Sequence, residues 1–230
     1  MSTIEEGKRG EDKEVTPKVA SAGPLGMCSI DHSNLIVWLS AFALSVFVLS
    51  INNAGSSYLQ LPNITVGLAL TYGGIVQICA GWWDLTVGNS FGATAFCSYG
   101  ALWLSYAANF LFNLTDFVVP DDPFAVDHAI GISLIGWEIF TFLMTLAALK
   151  TNGASLLLFV FVNITFILLI LGKFFQLNED IKGPNGLTKA GGVFGIFVAL
   201  TAWYNAFAGL ITLENSYFTL PVYDLSRKNK

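Results

Sequence analysis

Gln77, Thr94, Asn109, Glu138, Thr141, Asn163 and Asn205 are polar residues set inside long apolar blocks, and Asn89 stands in the short break ahead of one block. They are amides, hydroxyls and one carboxyl, groups that make hydrogen bonds without carrying a fixed positive charge. Such a set can line a path for a small polar solute, although each member also has a use as hydrogen-bonding glue between helices. Glu138 lies deepest among the acidic residues, and a charged carboxylate at that depth would cost ~2.5 to 3.5 kcal/mol on insertion scales. It is therefore either neutralised by a proton, hydrogen-bonded to a neighbouring helix, or used to couple proton movement. No Lys or Arg falls at comparable depth.

Enzyme chemistry has little to draw on. His32 and His128 fall at opposite ends of the expected spans, so they cannot share one site. Cys28, Cys79 and Cys97 are scattered and read as small hydrophobes rather than metal ligands or a disulfide framework. The run Gly191 to Gly195 lacks the strand context of a nucleotide-binding turn. No catalytic group, metal or cofactor is expected, and no basic run points to nucleic acid.

The elements that must hold these residues are legible from composition. The 230-residue chain is 54% hydrophobic and only 12% charged, too few charges to solvate a globule of this size. Its apolar blocks match the ~20 helical residues that cross a bilayer core. Six spans are expected at about Asn34–Ile51, Thr65–Trp83, Phe91–Leu114, Ala129–Leu149, Ala154–Leu171 and Gly191–Leu213. Helices are the expected form, since a helix satisfies its own backbone in lipid and no alternating ~10-residue strands appear. The fold class is all-α and polytopic: residues 1–33 an N-terminal tail, 34–213 the membrane domain, 214–230 a C-terminal tail. No apolar leader precedes the first block, so that span itself is expected to direct insertion.

Short connections at Asp84–Ser90 and Lys150–Gly153 predict antiparallel hairpins of spans two with three and four with five. Gly88, Gly92 and Ala95, and likewise Gly191, Gly195 and Ala199, follow the small-xxx-small spacing that lets helix backbones approach. With the N-terminus inside, eight Lys and Arg (Lys8, Arg9, Lys13, Lys18, Lys150, Arg227, Lys228, Lys230) face the cytoplasm and three (Lys173, Lys182, Lys189) face outward. Both termini are therefore expected to be cytoplasmic.

Three segments carry a family resemblance: Ala22 to Met27 before the first span, Tyr72 to Gly81 in the second, and Gly88 to Gly100 at the start of the third, with support from Pro62-Asn63-Ile64 and Gly136 to Phe142. Over residues 21–213 the chain resembles the acetate uptake transporter family, the succinate-acetate/proton symporters, and within it the fungal acetate and ammonia-related members. The resemblance implies a six-helix protomer similar to the acid-gated urea channels, a homohexamer with a solute path in each protomer, acetate and protons as partners, and a plasma-membrane setting.

It also implies a constriction formed by an aromatic, an aliphatic and a tyrosine. Tyr99 matches the tyrosine, while the aromatic position falls on Ile30 and the aliphatic one on Val162. The family's Asn-Pro-x-Pro-Leu-Gly start reads Ser21-Ala22-Gly23-Pro24-Leu25-Gly26, so its Asn and first Pro are replaced. Gly23, Pro24, Leu25 and Gly26 break the backbone before the first span, and a helix starting there would present unpaired N–H groups to a carboxylate.

The expected function is transport of acetate or a related monocarboxylate, proton-coupled or channel-like. The alternatives are conduction of ammonia or a small neutral solute, and a membrane sensor or scaffold without flux. The charge count has its own test: epitope tags at Ser2 and Lys230 should be shielded from protease in intact cells, and one placed between Asp116 and Asp127 should be cleaved. The reverse pattern would overturn the orientation.

Overall fold

In the computed structural model, residues 33–55, 63–112, 125–175 and 185–225 are described. They form six helical rods: α1 (Ser33–Asn53), α2 (residues 63–86), α3 (Ser90–Leu111), α4 (Ala125–Ala148), α5 (Gly153–Phe174) and α6 (Gly186–Leu210). All but α3 are long and apolar enough to cross a membrane. α3 has the length, at 22 residues, but its Ser, Thr, Tyr and Gly content dilutes its apolarity. The expected span ends hold to within three residues at ten of the twelve boundaries. α4 and α6 start four and five residues earlier than expected, because the polar residues Asp127, His128, Thr188 and Lys189 form their first turns.

Three of the helices begin at an asparagine cap, and this is why the short connections stop and restart where they do. The side-chain carbonyl of Asn89 accepts from Gly92 N–H (3.1 Å), that of Asn152 from Ser155 N–H (2.7 Å) and that of Asn185 from Thr188 N–H (2.8 Å). Each satisfies one of the amides a helix start leaves unpaired, worth ~1 kcal/mol. Gly88, just before the first of these caps, has φ +81, a left-handed conformation that turns the α2–α3 hairpin. A side chain at Gly88 would meet open space, so this residue serves the turn and not the helix contact expected of it.

The helices form a ring: α3 packs on α2, α2 on α1, α1 on α6, α6 on α5 and α5 on α4. Both expected hairpins are present. The tightest joint is α1 with α6, where a Cβ at Gly192 would collide with Ala54 N and lie 2.7 Å from Ser50 O, and one at Gly195 would collide with Ser50 Oγ. On the other side of α1, a Cβ at Gly73 would lie 2.6 Å from Ser45 Oγ and 2.9 Å from Trp103 Cγ. α2 is π-helical over Thr71–Val76, the segment that holds Gly73 and Gly74 against α1 and α3. α3 and α4 stand farther apart and meet through side chains.

The segment after α6 is a strap. Its carbonyls at Tyr223 and Val222 accept from Gly153 N–H (2.8 Å) and Ala154 N–H (3.4 Å), Leu225 N–H donates to Thr151 O (2.9 Å), and Tyr204 Oη donates to Pro221 O (2.6 Å). The strap thus pairs two amides at the start of α5 and ties the α4–α5 turn to α6. At the other end of the same hairpin, Lys173 pairs with Asp127 at 2.6 Å, a part-exposed bridge worth at most ~1 kcal/mol.

Because Gly192 faces backbone atoms, a larger residue there has no flexible side chain to displace. Gly192→Val should wedge α1 from α6, costing ~1–3 kcal/mol or more, and should lower the melting temperature in detergent. Val at Gly136, where a Cβ meets nothing within 4 Å, serves as the control and should melt like the parent. Equal melting of the two variants would refute the backbone contact.

Candidate functional site

A cavity of ≈ 80 Å³ lies between α1, α3, α5 and α6. A single water needs roughly 10–15 Å³ by the same measure, so the space suits a few waters or one small solute. Phe42, Tyr99, Val162 and Val198 line it, one side chain from each of the four helices. Ser50, Asn53 and Thr165 add polar groups to the same wall. On α1 the lining residues Phe42, Val46, Leu49 and Asn53 recur every three or four positions, the spacing of one helix face. From Phe42 to Asn53 that face spans roughly 16 Å at ~1.5 Å per residue. None of the lining residues is charged.

Tyr99 is buried and its hydroxyl is 2.9 Å from Thr141 Oγ1 on α4, while Thr141 Oγ1 itself can donate to Trp137 O at 2.8 Å. The Tyr99 ring packs against Phe42 (centroids 5.7 Å) and edge-on to Phe140 (5.6 Å). This hydrogen bond and the ring contacts carry the seam between α3 and α4. Past Phe42 and Tyr99 the interior is closed by a packed core, in which Trp38 lies against Phe96 (3.8 Å) and Phe91 against Phe159 (6.1 Å).

The structure brings Tyr99 and Val162 to the wall of the cavity and joins Thr141 to it through Tyr99. Other residues singled out in the sequence take different places. Gln77 is fully buried in α2, and neither its side-chain oxygen nor its nitrogen has a partner. Asn163 points from α5 to α4, donating to Thr145 Oγ1 and Phe159 O (both 2.7 Å) with its oxygen unpaired. Asn205 is buried, accepts from Ser155 Oγ (3.1 Å) and donates to Thr201 O (2.8 Å), joining α6 to α5 near the strap. Glu138 is half-buried on α4 with one carboxyl oxygen enclosed and unpaired. Asn89 is the α3 cap, and Thr94 and Asn109 are exposed on α3. Ile30 and the segment Gly23, Pro24, Leu25 and Gly26 lie outside the described residues.

Two groups were not singled out by the sequence. Asp84 belongs to the last turn of α2 rather than to the connection, is only 6% exposed, and accepts from Asn89 Nδ2 at 3.0 Å. Glu138 therefore has a second buried acid for company in the bundle. Phe42, Ser50, Asn53 and Val198 complete the cavity, and only their azimuth around α1 and α6, which hydropathy does not report, could have marked them.

Residues 8–227 match the GPR1/FUN34/yaaH family. The chain is 39% identical over 215 residues to ammonia transport outward protein 2 of Saccharomyces cerevisiae, covering 93% of this chain and 69% of that protein. It is 41% identical over 211 residues to acetate permease A of Emericella nidulans, covering 89% and 66%. The chain thus spans about two thirds of the length of these fungal relatives. Its fold is similar to that of a bacterial acetate channel, SatP, with a TM-score of 0.71 at 26% identity, covering 82% of this chain and 97% of the other. Together with the multi-helix membrane architecture, the match over nearly the full length shows that this chain belongs to the GPR1/FUN34/yaaH family, the acetate uptake transporters.

Proposed function

We propose that the chain passes acetate or a closely related small monocarboxylic acid across the bilayer, by way of the cavity lined by Phe42, Tyr99, Val162 and Val198. The observation that carries this reading is the cavity itself: small, apolar over most of its wall, with polar groups from Ser50, Asn53 and Thr165, and free of charged side chains. An apolar wall with a few polar groups suits a short alkyl tail and one carboxyl head. Relatives described as an acetate permease and an acetate channel support the same substrate. On this reading α3 is the sixth span, both termini are cytoplasmic and the protomers assemble as a hexamer.

Ammonia conduction is the second reading. It is favoured by the likeness to an ammonia transport outward protein and by the same uncharged wall, which offers a neutral molecule no electrostatic barrier. A scaffold without flux is the third.

Reconstituted into liposomes, the protein should take up labelled acetate above protein-free vesicles, and uptake should rise as external pH falls, because a companion proton removes most of the cost of carrying charge through an uncharged path. Labelled methylammonium run in parallel tests the ammonia reading, and absence of both fluxes would leave the scaffold. Glu138→Gln keeps shape and hydrogen bonding but removes the ionisable group. With normal expression it should lose pH-driven accumulation if Glu138 couples protons. Accumulation at the parent level would reassign the protein to passive passage.

A further inference from the structure

We infer that the strap after α6 is a latch, which must come off the start of α5 before a solute can pass through that end of the bundle; the inference rests on the monocarboxylate reading above. Along α5 the side chains change use in order. Leu169, Thr165 and Val162 line the cavity, Phe159 belongs to the packed core, Ser155 bonds Asn205 of α6, and Gly153 meets the strap. From Val162 to Gly153 the helix runs roughly 13 Å at ~1.5 Å per residue. A solute moving on from the cavity in this direction meets packed side chains, so helices have to part to let it by.

The two ends of the α5–α6 joint are held differently. At the cavity end glycines bring the helices close: a Cβ at Gly172 would lie 3.0 Å from Thr188 N, and one at Gly191 would lie 2.9 Å from Leu169 Cδ2. At the strap end Gly153 faces Tyr223 and Gly209 faces Ile36 of α1, so neither glycine joins α5 to α6 there. What joins them is the Ser155–Asn205 hydrogen bond (3.1 Å) and the strap. The strap holds α5 through the bonds of Tyr223 O, Val222 O and Leu225 N–H to Gly153, Ala154 and Thr151, and α6 through Tyr204 Oη on Pro221 O. α5 can swing about its glycine end only if one of these two sets of bonds breaks.

Tyr223 has φ +51, a left-handed conformation that is unfavourable for a residue with a side chain. The hydrogen bond it accepts from Gly153 is thus offset by backbone strain, the balance that suits a contact made and broken in use rather than a fixed brace.

A Cβ at Gly153 would lie 3.5 Å from the Cβ of Tyr223, within the ~3.5–4.5 Å that a disulfide spans. The double variant Gly153→Cys, Tyr223→Cys should therefore cross-link on mild oxidation and release on reduction. In liposomes, labelled acetate uptake by the oxidised variant should fall to the level of protein-free vesicles and return on reduction, with the parent protein unaffected by the same treatments. Full uptake by the cross-linked variant would show that the strap stays on α5 during transport, which sinks the latch and leaves the monocarboxylate reading standing. Absence of acetate uptake by the parent would overturn both.

Release is tested from the other side. Gly153→Pro removes the donor to Tyr223 O at a position where proline suits a helix start, and Asn152 before it is already extended (φ −124, ψ 157). Tyr204→Phe removes the donor to Pro221 O. Each variant deletes one hydrogen bond of the strap and should raise the initial rate of acetate uptake roughly two- to tenfold, the weight of one such bond in a closed–open equilibrium. These two variants also decide the case if the double variant carries no flux when reduced: rates at or below the parent's in both, with the protein folded, would rule the latch out.

Discussion

The structure depends on how closely α1 can approach its two neighbours. Lipid tails are as apolar as leucine, so helices in a bilayer gain nothing from hydrophobic burial against one another and rely on packing at short range. α1 is held on one side by Gly73, beside Ser45, and on the other by Gly192 and Gly195, beside Ser50. Ser45 in turn donates to Ala41 O (2.9 Å), so even this serine needs no partner outside its own helix. With both flanks fixed, the remaining face of α1 must turn inward. Phe42, Val46, Leu49 and Asn53 are on that face, and they form one wall of the cavity.

The opposite wall is built on a weaker principle. α3 and α4 share no glycine contact of this kind, and a hydroxyl pair and an aromatic cluster bridge them. A hydrogen bond of this sort contributes ~0.5–1.5 kcal/mol, far less than a backbone joint resists. The joints around α1 thus bring backbone against backbone, while the Tyr99 side of the cavity is joined to α4 by side chains alone.

Depth was legible in the sequence, and azimuth was not. Apolar run lengths located the rods, and Asn89, Asn152 and Asn185 stand at the polar breaks where three of them restart. The family motif led to Tyr99, and Val162 came with the same resemblance. Hydropathy says how far along a helix a residue sits and leaves open which way it faces when every face is apolar. Thr94 and Tyr99 occupy the same helix five residues apart, yet one is exposed and the other closes the cavity. Phe42 looks like any other residue of an apolar span, and only the rotation imposed on α1 by Ser45 and Ser50 brings it inward. Asp84 was hidden for a different reason. A carboxylate near a hairpin reads as solvated, and its burial follows from Gly92, whose missing side chain leaves room for it beneath the α3 cap.

On the proposed monocarboxylate reading, electrostatics narrows which form of the acid this interior suits. An anion leaving water for an uncharged cavity forfeits hydration worth several kcal/mol even after relaxation, and here no Lys or Arg lines the space to compensate. The undissociated acid gives up two ordinary hydrogen-bonding groups, and the hydroxyls of Ser50 and Thr165 with the amide of Asn53 can replace those interactions in the cavity wall. Asp84 and Glu138 stand apart from that exchange: Asp84 is committed to Asn89 at the α2–α3 turn, and half-buried Glu138 lies on α4, one turn from Thr141 and the hydroxyl that holds Tyr99. A proton arriving with its acid need not pass through a charged residue in the cavity. On the same reading, Glu138 stands beside the Tyr99 seam, where side chains rather than backbone contacts join α3 to α4.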